Sequence, residues 1–435
     1  MPTPIMCLSE PLRQFAESFR GCFSQRQLKY FVTVLLGLVE CQERRTLSGL
    51  LRQVAAQVSL SGLSRFLSRW PWSESKLAAV WQARFRARTA PLVQAEHDRQ
   101  RAEQPKRRGR PKSTVVTGYL SIDDSTHEKP KGRKMKGLGL HHSTTEKRRV
   151  KGHSLFSGFY ELLGQRCPLA PQMYRQKATC EAEGVPFQSK IDMAVEQIQT
   201  FQPVEGTHTH VLIDSWYHCK RVRRAAQERG WDISGGLKSN RKMQIIEADG
   251  VCRWVSLTEY AACLSQDDFE PVVWPSQQGG RVIYAHIVRT KVRKLGTCQV
   301  LITRESLDGP VEQVRYWGTT LLDADVQAVV NVLAIRWGIE VMFEDNKDLL
   351  GSDHYQLLSD KAILRFWTLI ACISVFLDEQ RAQIQADLES HVTWGDARRA
   401  VHDIHQRNLL SWIYQLFWAG ATPTEVYALL KPNSV

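Results

Sequence analysis

Two short apolar runs in this chain each end in a carboxylate, a pattern that few folds accommodate. Val115 to Ile122 reads VVTGYLSI and is followed by Asp123 and Asp124, and Val211-Leu212-Ile213 is followed by Asp214. Runs rich in β-branched and aromatic residues predict buried strands. A carboxylate at the end of a buried strand is costly unless it is paired or metal-bound, although a turn or cap role for Asp-Asp-Ser is the plainer alternative. After Asp214, Ser215-Trp216-Tyr217 leads into a basic helical segment with Lys220, Arg221, Arg223 and Arg224, and Trp231 to Leu237 returns as a strand. Strand, helix, strand is an α/β unit whose strand C-termini face one cleft, where Asp214 can meet Asp123 or Asp124.

A third carboxylate lies on a helical stretch, Val329 to Gly351, closed by a glycine in the position of a C-cap. At roughly 100° per residue, Arg336, Glu340 and Lys347 fall within about 40° of one another. Val332, Ile335, Ile339, Phe343 and Leu350 form a separate apolar face. Alone, this stripe reads as a solvated face with intrahelical ion pairs. Its meaning depends on whether the strand-end aspartates come near it.

The chain has 435 residues, more than one hydrophobic core organises, and 43% of them are hydrophobic. A net charge of +13 points to a polyanionic partner, nucleic acid before membrane. The ten cysteines include no C-x-x-C pair and no Cys/His cluster at zinc spacing, which fits a reducing compartment without a disulfide framework. Glu10, Arg13 and Glu17 interrupt any signal-peptide pattern, and Phe366 to Leu377 is too short to span a bilayer. A soluble intracellular protein is expected.

Residues 1–90 read as helical, with caps at Ser24, at Thr46 or Ser48 for a helix reaching Val58, and at Ser73 for one reaching Arg86. A turn at Ser59 to Gly62 followed by exposed Ser64 and Arg65 suits helix-turn-helix DNA binding or a plain bundle equally. Residues 91–114 form a basic linker in which Arg108-Gly109-Arg110-Pro111 resembles an AT-hook, with Arg108 and Arg110 as DNA contacts. His141, His142 and His153 lie among lysines and arginines and read as structural. Residues 243–313 alternate in short runs, a mostly β insertion, before residues 314–380 return to the core and 381–435 become helical.

Three acidic groups in a basic chain fit two-metal phosphodiester chemistry, in which shared carboxylates hold two divalent ions and hard oxygen ligands select Mg²⁺ or Mn²⁺. With Ile122-Asp123-Asp124-Ser125, Val211 to Tyr217, Gly236-Leu237-Lys238-Ser239-Asn240-Arg241 and Arg336-Trp337-Gly338-Ile339-Glu340 followed by Lys347, the sequence resembles the DDE transposases of bacterial insertion sequences. The last set matches the R-x3-E-x6-K part of a Y-x2-R-x3-E-x6-K signature. The resemblance implies an α/β fold: an RNase H-like catalytic core, residues 115–242 and 314–380, interrupted by the β insertion and flanked by helical N-terminal and C-terminal regions. It implies Asp124, Asp214 and Glu340 as catalytic metal ligands, with Asp124 preferred over Asp123 because Ser125 follows it. Two Mg²⁺ or Mn²⁺ ions are implied, together with DNA contacts from Arg336, Lys347, Lys238 and Arg241.

The implied partners are double-stranded DNA, as terminal inverted repeats and as target, and a second copy of the chain on paired ends. No membrane is implied, and the place of work is the cytoplasmic nucleoid. The signature tyrosine falls at Leu333, expected on the same helical face, which puts a hairpin intermediate in question. A noncatalytic DNA-binding descendant, or a nuclease without strand transfer, are the competing readings.

Overall fold

Serine and threonine caps start four of the five N-terminal helices, because each hydroxyl accepts one of the N–H groups that a helix start leaves unpaired. In the computed structural model, which describes residues 8–55, 58–104, 113–143, 147–247, 250–276, 279–309 and 313–430, these helices are α1 (Glu10–Glu17), α2 (Gln25–Glu40), α3 (Leu47–Arg52), α4 (Leu60–Ser68) and α5 (Glu74–Ala102). The caps are Ser24, Thr46, Ser59 and Ser73. Two expectations change. The helix capped by Thr46 stops at Arg52 instead of reaching Val58, and Ser59 to Gly62 is the first turn of α4, because Ser59 caps the Gly62 N–H.

The third helix, expected to end at Arg86, continues through Pro91 to Ala102. Half of the expected linker is therefore helical. A polar stretch of this kind is held by ion pairs one turn apart, here Glu96–Arg99 at 2.7 Å and Arg99–Glu103 at 2.6 Å. Arg108 and Arg110 lie outside the described residues.

The sheet begins with β1 (Val116–Glu128), β2 (Gly139–Ser143), β3 (Arg148–Leu162), β4 (Gln165–Pro168) and β5 (Gln172–Tyr174), which pair antiparallel among themselves. Helices α6 (Lys177–Glu183) and α7 (Lys190–Thr200) lead to β6 (Thr207–Ile213), and α8 (Lys220–Glu228) leads to β7 (Asp232–Gly236). β1, β6 and β7 are parallel. Three antiparallel strands feeding two parallel ones is the arrangement expected of an RNase H-like core.

The β-rich stretch contains β8 (Lys242–Ile246), β9 (Cys252–Ser256), α9 (Leu257–Ala262), β10 (Glu270–Trp274), β11 (Arg281–Val292) and β12 (Gly296–Arg304), followed by β13 (Arg315–Thr319). The sheet order is β2-β3-β1-β6-β7-β13-β12-β11-β8-β9. The insertion thus prolongs the core sheet: β13 pairs with β7, and its other edge is taken up by β12.

Helices α10 (Val326–Ile335), α11 (Trp337–Asp348), α12 (Asp360–Leu388), α13 (Trp394–Trp418) and α14 (Pro423–Leu430) complete the chain. The apolar run from Phe366 to Leu377 is buried throughout, in the middle of α12. The stretch Val326–Asp348 is long and apolar enough to cross a membrane by length and composition. It is the α10–α11 pair, and it packs against the sheet with Ile339 and Phe343 in the core.

Candidate active site

The parallel register of β1 and β6 sets Ile122 beside Ile213, so Asp123 and Asp214 leave neighbouring strands at the same level. Successive side chains on a strand point to opposite faces. Asp123 therefore shares a face with Ser121, whose partner across to β3 is Phe159. Helix α11 lies on that face. A Cβ on Gly338 would come within 2.1 Å of Glu161 Oε2 and 3.3 Å of Phe159 Cε1, so glycine lets the start of α11 approach β3 closely.

Glu340 follows half a turn later, and Arg336 ties it to the sheet. The Arg336 guanidinium pairs with Glu340 through Nη2 and stands 3.6 Å from Asp123 Oδ2 through Nη1. Asp214 Oδ1 accepts the backbone N–H groups of Trp216 at 2.8 Å and Tyr217 at 3.1 Å. It lines a cleft of about 570 Å³ with Arg336, Ser215, Ser239 and Trp317. Burial pushes the Asp214 carboxyl up, while those two N–H groups and Arg336 oppose the shift. Asp123 is pushed up to about 8, by burial first and then by the charges of Asp214 and Asp124.

Asp124 faces the other way. Its Oδ2 pairs with Lys190 of α7 at 2.5 Å and accepts from Ser154 at 3.1 Å, and its Oδ1 accepts the Tyr217 hydroxyl at 2.6 Å. Strand alternation sets Asp123, beside Arg336, on the side where α11 lies, whereas Asp124, expected as the first ligand, is held by Lys190, Ser154 and Tyr217. A signal for this was present in the sequence, since Ile-Asp recurs at Ile122-Asp123 and Ile213-Asp214. The anchoring roles of Lys190, Ser154 and Tyr217 had no such signal.

The other expected residues spread along the cleft. Lys238 is exposed, its ammonium 5.0 Å from the Trp216 ring, and Arg241 donates to the His218 carbonyl at 2.8 Å. Lys347 lies two turns beyond Glu340, half-buried, and burial lowers its pKa. Leu333 is 2% exposed and packs with Val272, Ile283, Leu301 and Val330. The helix expected to run unbroken tightens at Arg336, whose N–H bonds to Leu333 O at 3.2 Å while Ile339 N–H bonds to Arg336 O at 3.3 Å. Leu333 is held in the apolar cluster that strands of the insertion close over α10, and so presents no polar group to the cleft. His141 and His153 are buried, and His153 bonds the Tyr355 hydroxyl at 2.7 Å, a structural role.

The sequence model of the DDE superfamily endonucleases matches residues 18–250, more than half of the chain. This chain belongs to the DDE superfamily of transposases and endonucleases. The transposase DDE domain model matches residues 188–376. In this transposase the two matches overlap on the stretch that holds Asp214 and the β7–β8 turn, and the second extends across the insertion to Glu340 and α12. A search of curated proteins gives no match.

The donors of this transposase suit a hard divalent cation. They are carboxylate oxygens only, and a cation would offset both the burial that chiefly raises Asp123 and the repulsion from Asp214 and Asp124 that adds to it. Among the described residues no three His, Cys, Asp or Glu side chains are already gathered to hold an ion. The Arg336 guanidinium, paired with Asp123 and Glu340, occupies the space between them.

Proposed function

We propose that this transposase cuts the ends of its own mobile element and joins the freed 3′-OH to target DNA, with Asp123, Asp214 and Glu340 as its metal ligands. One observation carries this reading: Asp123, Asp214 and the Arg336–Glu340 pair lie on one face where β1–β6 pairing ends, in a chain of net charge +13. Bound at these carboxylates, a pair of Mg²⁺ or Mn²⁺ ions supplies Lewis acidity at the scissile phosphate and activates the attacking oxygen. Water attacks the phosphorus and the P–O3′ bond breaks, leaving a 3′-OH. That hydroxyl then attacks a target phosphate and displaces the target 3′-oxygen, so one phosphodiester is exchanged for another and no ATP is needed.

The chain's own residues bind and orient the DNA for both steps. Arg336 has to leave Glu340 before that carboxylate can serve as a ligand, and a DNA phosphate is the anion that takes over its guanidinium. Lys238, Arg241 and Lys347 extend the contact along the cleft, while Arg108 and Arg110 add contacts from the basic segment and the N-terminal helices recognise the terminal repeats. Two ends cut in register call for two copies of the chain, working on DNA in the cytoplasm. A buried Leu333 offers no hydroxyl to a phosphate, which favours excision without a hairpin held at that position.

The test uses DNA flanking the coding region. Wild-type protein is expected to cleave it in Mg²⁺, and Glu340→Ala to bind it with unchanged affinity while cleaving none. Retained cleavage by Glu340→Ala overturns the assignment.

A further inference from the structure

Outside the carboxylate cleft, a cluster of like charge lies where the β7–β8 turn meets the tip of the β11–β12 hairpin. Lys238, Asn240, Arg241, Lys242, Arg293 and Lys294 line a groove of about 380 Å³. The groove continues directly from the carboxylate cleft, because Ser239, between Lys238 and Asn240, lines that cleft together with Asp214 and Arg336. Among the described residues the closest carboxylate is Glu259, 3.7 Å from Lys242, and none pairs with Lys238, Arg241, Arg293 or Lys294. Five cations facing one exposed glutamate create a field that only an anionic ligand neutralises.

The cluster is rigidly built. Arg293 N–H donates to Lys242 O at 2.9 Å, joining hairpin tip to turn, and Arg241 N–H donates to Lys238 O at 2.9 Å within the turn. Leu295, 7% exposed, pins the tip to a small core containing Met243, Val255 and Leu257. Lys294 takes a left-handed backbone, φ +67, which turns the chain sharply and leaves Arg293 and Lys294 exposed above that anchor. Cations held on an apolar anchor lose little entropy on binding, unlike those of a loose basic tail.

We propose that this groove is a phosphate-binding track that carries the DNA duplex next to the cutting site, with Arg293 and Lys294 as contacts supplied by the inserted hairpin. The proposal rests on the transposase reading for the nature of its polyanion. The shared chemistry is the phosphodiester backbone, and two duplexes present it: the element end and the target.

The experiment compares full-length wild type with Arg293→Ala/Lys294→Asn, asparagine being chosen because it tolerates the left-handed backbone. Equilibrium binding is followed against salt on two short duplexes, one from DNA flanking the coding region and one of unrelated sequence. Each lost phosphate contact lowers the slope of log K against log salt by about 0.9, so a reduction of about 2 is expected, with affinity falling about 10-fold or more at low salt. A change confined to the flanking duplex assigns the track to the element end, and one confined to the unrelated duplex assigns it to the target. Arg293→Lys should retain the slope, and an unchanged thermal midpoint certifies the double variant as folded. Unaltered slopes on both duplexes overturn the track even if wild type cuts DNA. A reduced slope in a protein that never cuts DNA leaves the track standing and removes the transposase reading instead.

Discussion

Asp123 and Asp124 are neighbours in sequence with opposite surroundings. Asp123 is raised to about 8 by burial and by nearby carboxylates, and its closest cation, Arg336, is shared with Glu340. Asp124 is fully engaged by Lys190, Ser154 and Tyr217. The two positions therefore respond differently to the same change. Asp123→Asn should abolish Mg²⁺-dependent cleavage and weaken Mn²⁺ binding measured by calorimetry, while leaving the thermal midpoint unchanged or higher, because it removes a repelled carboxylate. Asp124→Asn should retain Mn²⁺ binding but lower stability by about 1–3 kcal/mol in urea titration, because it leaves a part-buried lysine without its anion. The reverse pattern would return the first ligand to Asp124.

At the scale of elements, α12 joins the N-terminal helices to the catalytic sheet. Its buried Arg365, 1% exposed, pairs with Glu74 at 2.6 Å and donates to the carbonyls of Leu67 at 3.1 Å and Trp70 at 2.8 Å, and also to Trp72. These partners end α4 and begin α5, where helix termini leave carbonyls and a capping turn exposed. A single guanidinium thus fixes the orientation of α4, with its exposed Ser64 and Arg65, on the core. Arg365→Met should destabilise the chain by about 3–5 kcal/mol, since methionine fills the space but leaves Glu74 and several carbonyls unpaired. Urea unfolding checks this. A loss below about 1 kcal/mol would mean that water takes over the carbonyls.

Across the whole molecule, several histidines are buried in the neutral form. Burial lowers His127 well below its usual value and holds His153 and His218 at about 4, where each ring bonds a carbonyl or hydroxyl: His153 to Tyr355 at 2.7 Å and His218 to Gly236 O at 3.1 Å. In the unfolded chain the same rings take up protons near pH 6.5. The unfolded state therefore binds more protons than the native state between about pH 6.5 and 4, so stability is full above that window and is lost as pH falls through it. The expected loss is of order 1–3 kcal/mol per histidine across the window. Asp123, raised to about 8, works in the opposite direction across the same range, so the histidine share is read as a difference between wild type and variant in thermal midpoints from pH 7.5 to pH 4, and no difference would show that the ring is open to solvent. His153→Gln should take one histidine's share out of the profile.

Sequence alone determined the elements that local chemistry dictates. Apolar runs ending at Ile122 and Ile213 became the central strands, hydroxyl caps at Ser24 and Ser73 started helices, and the run within α12 was long and apolar enough to be buried. It also concentrated acidic residues at two strand ends and one helix, because Asp123, Asp214 and Glu340 stand beside recognisable apolar patterns. Tertiary structure decided what depends on pairing between distant segments. Which of two adjacent aspartates meets Asp214 follows from the β1–β6 register and from the face on which α11 packs, and both are set by contacts more than 80 residues apart in the chain. The burial of Leu333 follows from strands of the insertion closing over α10. The cationic groove follows from a hairpin tip folding back onto a turn some 50 residues earlier, an encounter that no local periodicity encodes.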